Sequence, residues 1–168
     1  MNDTSLLRAR YPYMFKGQHI GLTFYRGWTP VLVRTCEQID GILGANRLGF
    51  RWVELGSDRG GGLFVYLLGE DRQFVVGLHG ESRRAMMVTT YDVAGDVTTK
   101  MDRIVLEAER VAGTACMVCG GRAERALHFG VEVTLCASHS PESLNSQGEE
   151  GLEGLWREAI EWEEAASL

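Results

Sequence analysis

Three cysteines and one histidine constrain this chain more than any other feature. Between Thr114 and Ser140 the sequence reads TACMVCGGRAERALHFGVEVTLCASHS. Cys116 and Cys119 form a C-x2-C pair, sixteen residues follow, and Cys136 and His139 form a C-x2-H pair. Two thiolates two residues apart grip one ion when the backbone turns tightly behind them. Gly120 and Gly121 allow that turn, because glycine adopts positive φ at little steric cost. The stretch HFGVEVTLC alternates apolar and polar residues (Phe129, Val131, Val133, Leu135) as a strand does, and it delivers Cys136 at its end. The spacing therefore predicts a Cys3His tetrahedron, the geometry of structural Zn²⁺. Four protein ligands leave no open position for water, so such an ion stabilises folding and is not a Lewis-acid catalyst.

The rival readings of these cysteines are weaker. Disulfides would leave one of the three unpaired or draw in the distant Cys36. A redox C-x-x-C wants a strand before it and a helix after it, and here glycines follow. The N-terminal MNDTSLLRARYPYMF has no basic start followed by an apolar run. The longest apolar stretch, Leu63 to Gly69, is too short to span a bilayer. The expectation is a cytoplasmic protein without a membrane partner, in a reducing compartment that disfavours disulfides.

Around this knuckle pair the chain divides into an α+β body over 1–113, a metal lobe over 114–140, and a connector with a terminal helix over 141–168. Residues 1–26 read as an irregular or extended arm. The segment GWTPVLVRTCEQIDGILG reads as a helix capped by Thr29, with Pro30 at its first position and Gly44 as its stop. Trp28, Leu32, Cys36, Ile39 and Leu43 recur at helical spacing and make one buried stripe, which places Cys36 in the core. From Phe50 the period becomes that of strands: FRWVEL, GLFVYLLG, RQFVVGLHG and AMMVTTYDV predict a small antiparallel sheet of three to four strands. GSDRGGG, Gly56 to Gly62, lacks the Lys-Ser/Thr ending of a phosphate loop and precedes a strand, so it reads as a hairpin loop. DVTTKMDRIVLEAERVAG returns to helical spacing with Met101, Ile104, Val105, Ala108 and Val111 on one face. The tail, about Glu149 to Ala165, sets Leu152, Leu155, Trp156, Ala159 and Ile160 against its acids as an amphipathic helix.

Charge is uneven along the chain. Residues 1–60 carry eight Lys/Arg and five Asp/Glu, and residues 61–168 carry nine and eighteen, within a formal net charge of -6. The stretch EEGLEGLWREAIEWEE holds seven acids and one arginine. Such a balance disfavours indiscriminate phosphate binding, which draws on counterion release by cationic side chains.

The order of motifs resembles a family of small, largely uncharacterised proteins of bacteriophages and bacteria. The matching residues are Tyr11, Pro12 and Phe15; Gly27 and Trp28 opening a helix with Cys36 and Ile39; SDRGGGLFVY; Cys116, Cys119 and Gly120; and Thr134, Leu135, Cys136 and His139. Members carry a Lys-Glu-Lys-Phe-Gly-x-Leu-Arg-Phe-Tyr strand and a C-terminal zinc knuckle pair. This chain departs from that strand, with Ser57, Asp58, Arg59 and Gly60 at its charged start and Phe64 at its arginine. The resemblance implies a phage or mobile-element setting, a structural Zn²⁺ in a zinc-ribbon or treble-clef-like lobe, and no established reaction.

Three functions compete on these residues. Catalysis has little to stand on: no G-x-S-x-G elbow occurs, and His79, Glu81 and Ser82 fall in a predicted turn. A nucleic-acid module draws on Arg122, Arg125 and His128 beside the knuckle and on the aromatic–basic runs YPYMFK and LTFYRGW. The favoured expectation is a non-catalytic, zinc-stabilised module that binds a host or phage protein. Glu158, Glu161 and Glu164, with Asp58 and Arg59, are its candidate contact residues, and the acidic helix imitates the charge of DNA before a host defence or nucleic-acid-processing complex.

Overall fold

A computed structural model of the chain describes residues 3–16, 21–58, 61–68, 74–75, 95–128, 131–140 and 157–159. Along the chain it contains α1 (Asp3–Arg10), β1 (Gly21–Tyr25), α2 (Thr29–Leu43), β2 (Arg51–Asp58), β3 (Gly61–Leu67), β4 (Phe74–Val75), α3 (Gly95–Ala112), β5 (Glu124–His128), β6 (Val131–Leu135) and β7 (Arg157–Ala159). Short 3-10 turns sit at Pro12–Phe15, Arg26–Trp28, Gly44–Asn46 and Ala137–His139. The architecture is mixed helix and sheet, as the hydrophobic periods predict.

α2 forms where its pattern places it. Trp28, Leu32, Cys36 and Ile39 are fully buried and Leu43 nearly so. Gly44, at φ 56°, ends the helix in a conformation that favours glycine. Thr29 is not the cap. It already has helical dihedrals (φ -53°, ψ -42°) because the preceding 3-10 turn runs straight into the helix and leaves no extended residue there. α3 buries Met101, Val105, Ala108 and Ala112 and leaves Ile104 and Val111 half-buried.

β2 and β3 form the expected hairpin, with Asp58 opposite Gly61 across the turn. A bulge between Trp52 and Glu54 does essential packing work. In a regular strand Trp52 and Leu55, three residues apart, would face opposite sides. The extra residue brings both onto the core face, opposite Tyr66 and Phe64. An aromatic cluster follows: Trp52 lies edge-on to Phe50 and Phe64, Phe50 stacks on Tyr66, and Phe24 bridges Phe64 to Trp28, with centroids 5.1–6.1 Å apart. The Tyr66 hydroxyl donates to Asp102 on α3, and the Tyr13 hydroxyl donates to Asp40 on α2 at 2.7 Å. Burial, then these carboxylates, push both phenols above their ordinary range.

Three expectations need correction. Residues 1–26 are not an irregular or extended arm throughout: Asp3–Arg10 form α1, while Gly21–Tyr25 are extended as β1. α1 has no apolar stripe to announce it, and β1 buries the consecutive residues Phe24 and Tyr25 instead of alternating. The sheet is mixed, not purely antiparallel. Its order is β4-β3-β2-β1-β7, and β1 runs parallel to β2. A parallel pair needs a crossover connection, and α2 supplies it. The tail is not helical at residues 157–159. Those residues form β7, antiparallel to β1, with Thr23, Phe24 and Tyr25 opposite Ala159, Glu158 and Arg157. Without β7, β1 would present a row of unpaired backbone donors and acceptors at the sheet edge. This long-range pairing is one that the helical periodicity of the tail does not encode. The predicted strand over AMMVTTYDV lies outside the described residues. Among the described residues no helix is long and apolar enough to cross a membrane.

Candidate metal centre

α3 ends at Ala112, and Gly113 donates its N–H to Glu109 O at 2.9 Å, closing the helix just before the first knuckle. The chain then folds back on itself. Ala115 bridges Arg122, Cys116 N–H donates to Gly121 O at 2.7 Å, and Gly120 N–H donates to Cys116 O at 2.8 Å. Gly120 has φ 74°, which the tight turn behind Cys119 demands. β5 and β6 form an antiparallel hairpin, with Glu124 opposite Leu135 at its base. Met117 N–H donates to Thr134 O at 3.0 Å and clips the first knuckle to β6. The 3-10 turn after Cys136 then swings His139 back, its N–H donating to Cys136 O at 2.9 Å.

The result places the ligand atoms of Cys116, Cys119, Cys136 and His139 within 4.8 Å of one another. Cys119 Sγ is 3.7 Å from Cys136 Sγ. His139 Nδ1 is 3.6 Å from Cys116 Sγ and 3.3 Å from Cys136 Sγ. With metal–sulfur and metal–nitrogen bonds of about 2.3 and 2.0 Å, a regular tetrahedron separates two sulfurs by about 3.8 Å and a sulfur from a nitrogen by about 3.5 Å. These three separations are of the size a tetrahedral ion requires, and the four side chains could together bind one metal ion. Nδ1 is the ring nitrogen that faces it.

The surroundings act on Cys136 and Cys119 in opposite directions. The Cys136 thiol is held below its ordinary value. Burial pushes it up, but hydrogen bonds with Cys119 and Cys116 and from the backbone N–H groups of Ser138 and His139 outweigh that. Gly121 N–H likewise favours the thiolate of Cys119, but burial and the neighbouring thiols leave it raised. A divalent cation held by three thiolates and one imidazole would leave one net negative charge, which these N–H groups would face. Cys116 is fully buried, Cys136 is partly exposed and Cys119 is exposed, so the centre opens on one side to solvent.

The centre is not a free-standing satellite. Gly27 N–H donates to Met117 O at 2.9 Å, and the indole N–H of Trp28 donates to Ala115 O at 3.0 Å in a buried position. A Cβ on Gly27 would lie 2.0 Å from Cys116 O, and one on Gly120 would lie 2.5 Å from Gly27 O. Two glycines thus meet backbone to backbone where the knuckle docks on the β1–α2 junction. Cys116, Met117, Val133 and Leu135 belong to the same buried cluster as Trp28 and Phe24.

The other candidate residues do not converge on this centre. Asp58 ends β2 and Glu158 lies in β7, and Arg59, Glu161 and Glu164 fall outside the described residues. So do His79, Glu81 and Ser82. Arg122 and Arg125 are exposed on the metal lobe, and His128 ends β5. Cys36 is a core residue, its thiol pushed up to about 12 by burial. Sequence reasoning missed the docking role of Gly27 and Trp28. The available signal was a glycine, directly before a tryptophan, at a strand-to-helix junction. It also missed Glu109, buried on α3, whose Oε1 accepts from Phe64 N–H at 3.3 Å. Its i+4 spacing from Val105 was the signal.

Comparison with protein-family models, with curated proteins and with solved structures finds no match.

Proposed function

We propose that this protein is a non-catalytic binding module whose fold is completed by one structural Zn²⁺, held by Cys116, Cys119, Cys136 and His139 in a zinc-ribbon-like lobe. The observation that carries this reading is the four-atom cluster, all within 4.8 Å of one another, in which the Cys119–Cys136, Cys116–His139 and Cys136–His139 separations of 3.3 to 3.7 Å suit a closed tetrahedron. Three sulfurs and one imidazole favour zinc over the hard cations, which take oxygen ligands. A filled tetrahedron has no position for a reacting water, so the ion's role is to hold the lobe against Gly27 and Trp28. Purified protein should contain one zinc per chain by elemental analysis. Cobalt substitution should give the intense visible bands of a tetrahedral thiolate site. Substoichiometric metal after expression without chelator would overturn the reading.

The partner in this reading is a protein. The acidic balance beyond residue 60 supports a surface that avoids phosphate backbones. The resemblance to the phage and bacterial family supports a host complex, such as a defence or nucleic-acid-processing assembly, as the target. Because residues 157–159 pair with β1, the acidic face is not a helix through that point. The contact would instead be made by the acids around β7. Affinity capture with charge reversal at Glu158, Glu161 and Glu164 tests this: a stoichiometric partner lost on reversal is expected, and unchanged capture removes these acids from the interface.

A nucleic-acid reading keeps one specific support, the exposed Arg122 and Arg125 on the metal lobe. Glu124 and Glu132, exposed on the same hairpin, oppose it. An electrophoretic shift at near-physiological salt, lost in Arg122→Ala with Arg125→Ala, would favour this second reading.

A further inference from the structure

The seam between α2 and α3 leaves a cavity of about 330 Å³ open to solvent. That is the lower end of the size range of small-molecule sites, about 300–1,000 Å³. Its walls are apolar: Val31 on α2 and Ile104 and Val111 on α3 are only half-buried, and Val31 and Ile104 pack at the edge of the core. Its depth comes from small residues, Ala108 on its floor and Ala115 and Gly120 closing the end at the metal centre. Gly120, whose backbone meets Gly27, adds no side chain to that lining.

The mouth carries Arg34 and Gln38 from α2 and Glu107 from α3. Glu107 is already engaged, accepting from Arg110 Nε at 2.7 Å and from Nη2 at 2.6 Å. Those bonds, with a smaller contribution from Arg34, hold its carboxyl below the usual range. Arg34 is exposed and makes no ion pair among the described residues. The hydroxyl of Thr35 is used within α2, donating to Val31 O at 2.8 Å. The mouth therefore presents one guanidinium with no hydrogen-bonded carboxylate, lying in the field of the engaged Glu107, and one amide above an apolar slot.

We propose that this cavity binds a small amphipathic carboxylate. Its apolar body lies against Val31, Ile104 and Val111, and its carboxylate meets the guanidinium of Arg34 and the amide of Gln38. A rim guanidinium whose N–H donors are not taken by a carboxylate favours an anion, and its fork matches a carboxylate in two parallel hydrogen bonds. The apolar walls select a ligand with a hydrocarbon or aromatic body over a bare anion. This inference is independent of whether the module also binds a protein.

The test is a ¹⁵N NMR titration of the zinc-loaded chain with three probes: 4-phenylbutyrate, 4-phenylbutanol and butyrate. Saturable shifts are expected with 4-phenylbutyrate, confined to residues 31–38, 104–111 and the knuckle. 4-Phenylbutanol, which lacks the charge, and butyrate, which lacks the ring, should each bind about tenfold more weakly, as loss of a charge-assisted contact or of most of the apolar area implies. Arg34→Gln should bring 4-phenylbutyrate down to the affinity of the alcohol. Ala108→Leu fills the floor. Gln38→Trp, made from an exposed position that does not burden the core, covers the mouth. Both should abolish the shifts. Equal affinity for acid and alcohol, shifts scattered over the surface, absence of binding by all three probes, or binding that survives Gln38→Trp would each overturn the assignment.

Discussion

The indole N–H of Trp28 reaches the carbonyl oxygen of Ala115 at 3.0 Å, although 87 residues separate them in the chain. The bond is buried, and it joins the 3-10 turn that leads into α2 to the residue just before the first metal ligand. Replacing Trp28 by phenylalanine should leave that carbonyl without its donor and a void in the core. The expected cost is about 2–4 kcal/mol in denaturant unfolding, combining a lost buried hydrogen bond with lost packing. The same variant should hold zinc more weakly in competition with a chromophoric chelator. Unaltered metal affinity would mean that the lobe folds without reference to α2.

Gly27 is a sharper probe of the same junction. Gly27→Ala places a methyl 2.0 Å from Cys116 O and 2.6 Å from Gly120 N, both backbone atoms that cannot swing aside. Loss of about 3 kcal/mol or more is expected, in the range of severe overpacking. Gly41→Ala on the exposed side of α2, where a Cβ meets nothing within 4 Å, should stabilise by up to about 1 kcal/mol. The pair of melting curves checks both directions at once.

Removing the metal should cost the whole chain stability, not only residues 114–140. Chelation is expected to lower the melting temperature by on the order of 10 °C, because a ligand that binds only the folded state stabilises it through mass action. Near-ultraviolet circular dichroism of the buried Trp28 should change along with it. Cys116→Ser should reproduce the apo curve with metal present. A melting temperature indifferent to chelator would remove the ion from the energetics.

Glu109 gives a pH signature of its own. Burial pushes its carboxyl up to about 7, against the lowering effect of the Phe64 N–H bond. The folded state therefore holds this proton more tightly than the unfolded state. The associated stability is fully present below pH 4.5, the ordinary value, and is lost as pH rises through about 7. Glu109→Gln should be worth about 2 kcal/mol relative to the parent at pH 8 and close to nothing at pH 5. Metal release by protonation of thiolates and imidazole runs the other way, losing stability as pH falls. Comparing the two proteins at each pH, both with saturating zinc, isolates the carboxyl. An equal difference at pH 5 and pH 8 would contradict the assignment.

Several of these features were legible in the residues alone. The four ligands are identified by spacing, because two close pairs on a returning strand leave few other geometries. The α2 stripe from Trp28 to Leu43 and the β2–β3 hairpin follow from local period and turn chemistry. β1 was hidden because its two strongest apolar residues, Phe24 and Tyr25, are adjacent and both buried, so no alternation marks them. The extended conformation at Arg157–Ala159 was hidden for a different reason. It answers the needs of a distant strand, and nothing in its own neighbours encodes that. The bulge at Trp52 disguises which face of β2 is buried, since the periodicity is broken by one residue. The cavity between α2 and α3 depends on which half-buried side chains stand opposite one another, and that is settled only by helix packing.

The backbone meeting of Gly27 and Gly120 has a consequence for how the chain reaches its native state. All four ligands lie between Cys116 and His139, so an ion can be captured locally, but seating the knuckle on Gly27 joins the two ends of a long loop, and that docking step should be governed by search entropy.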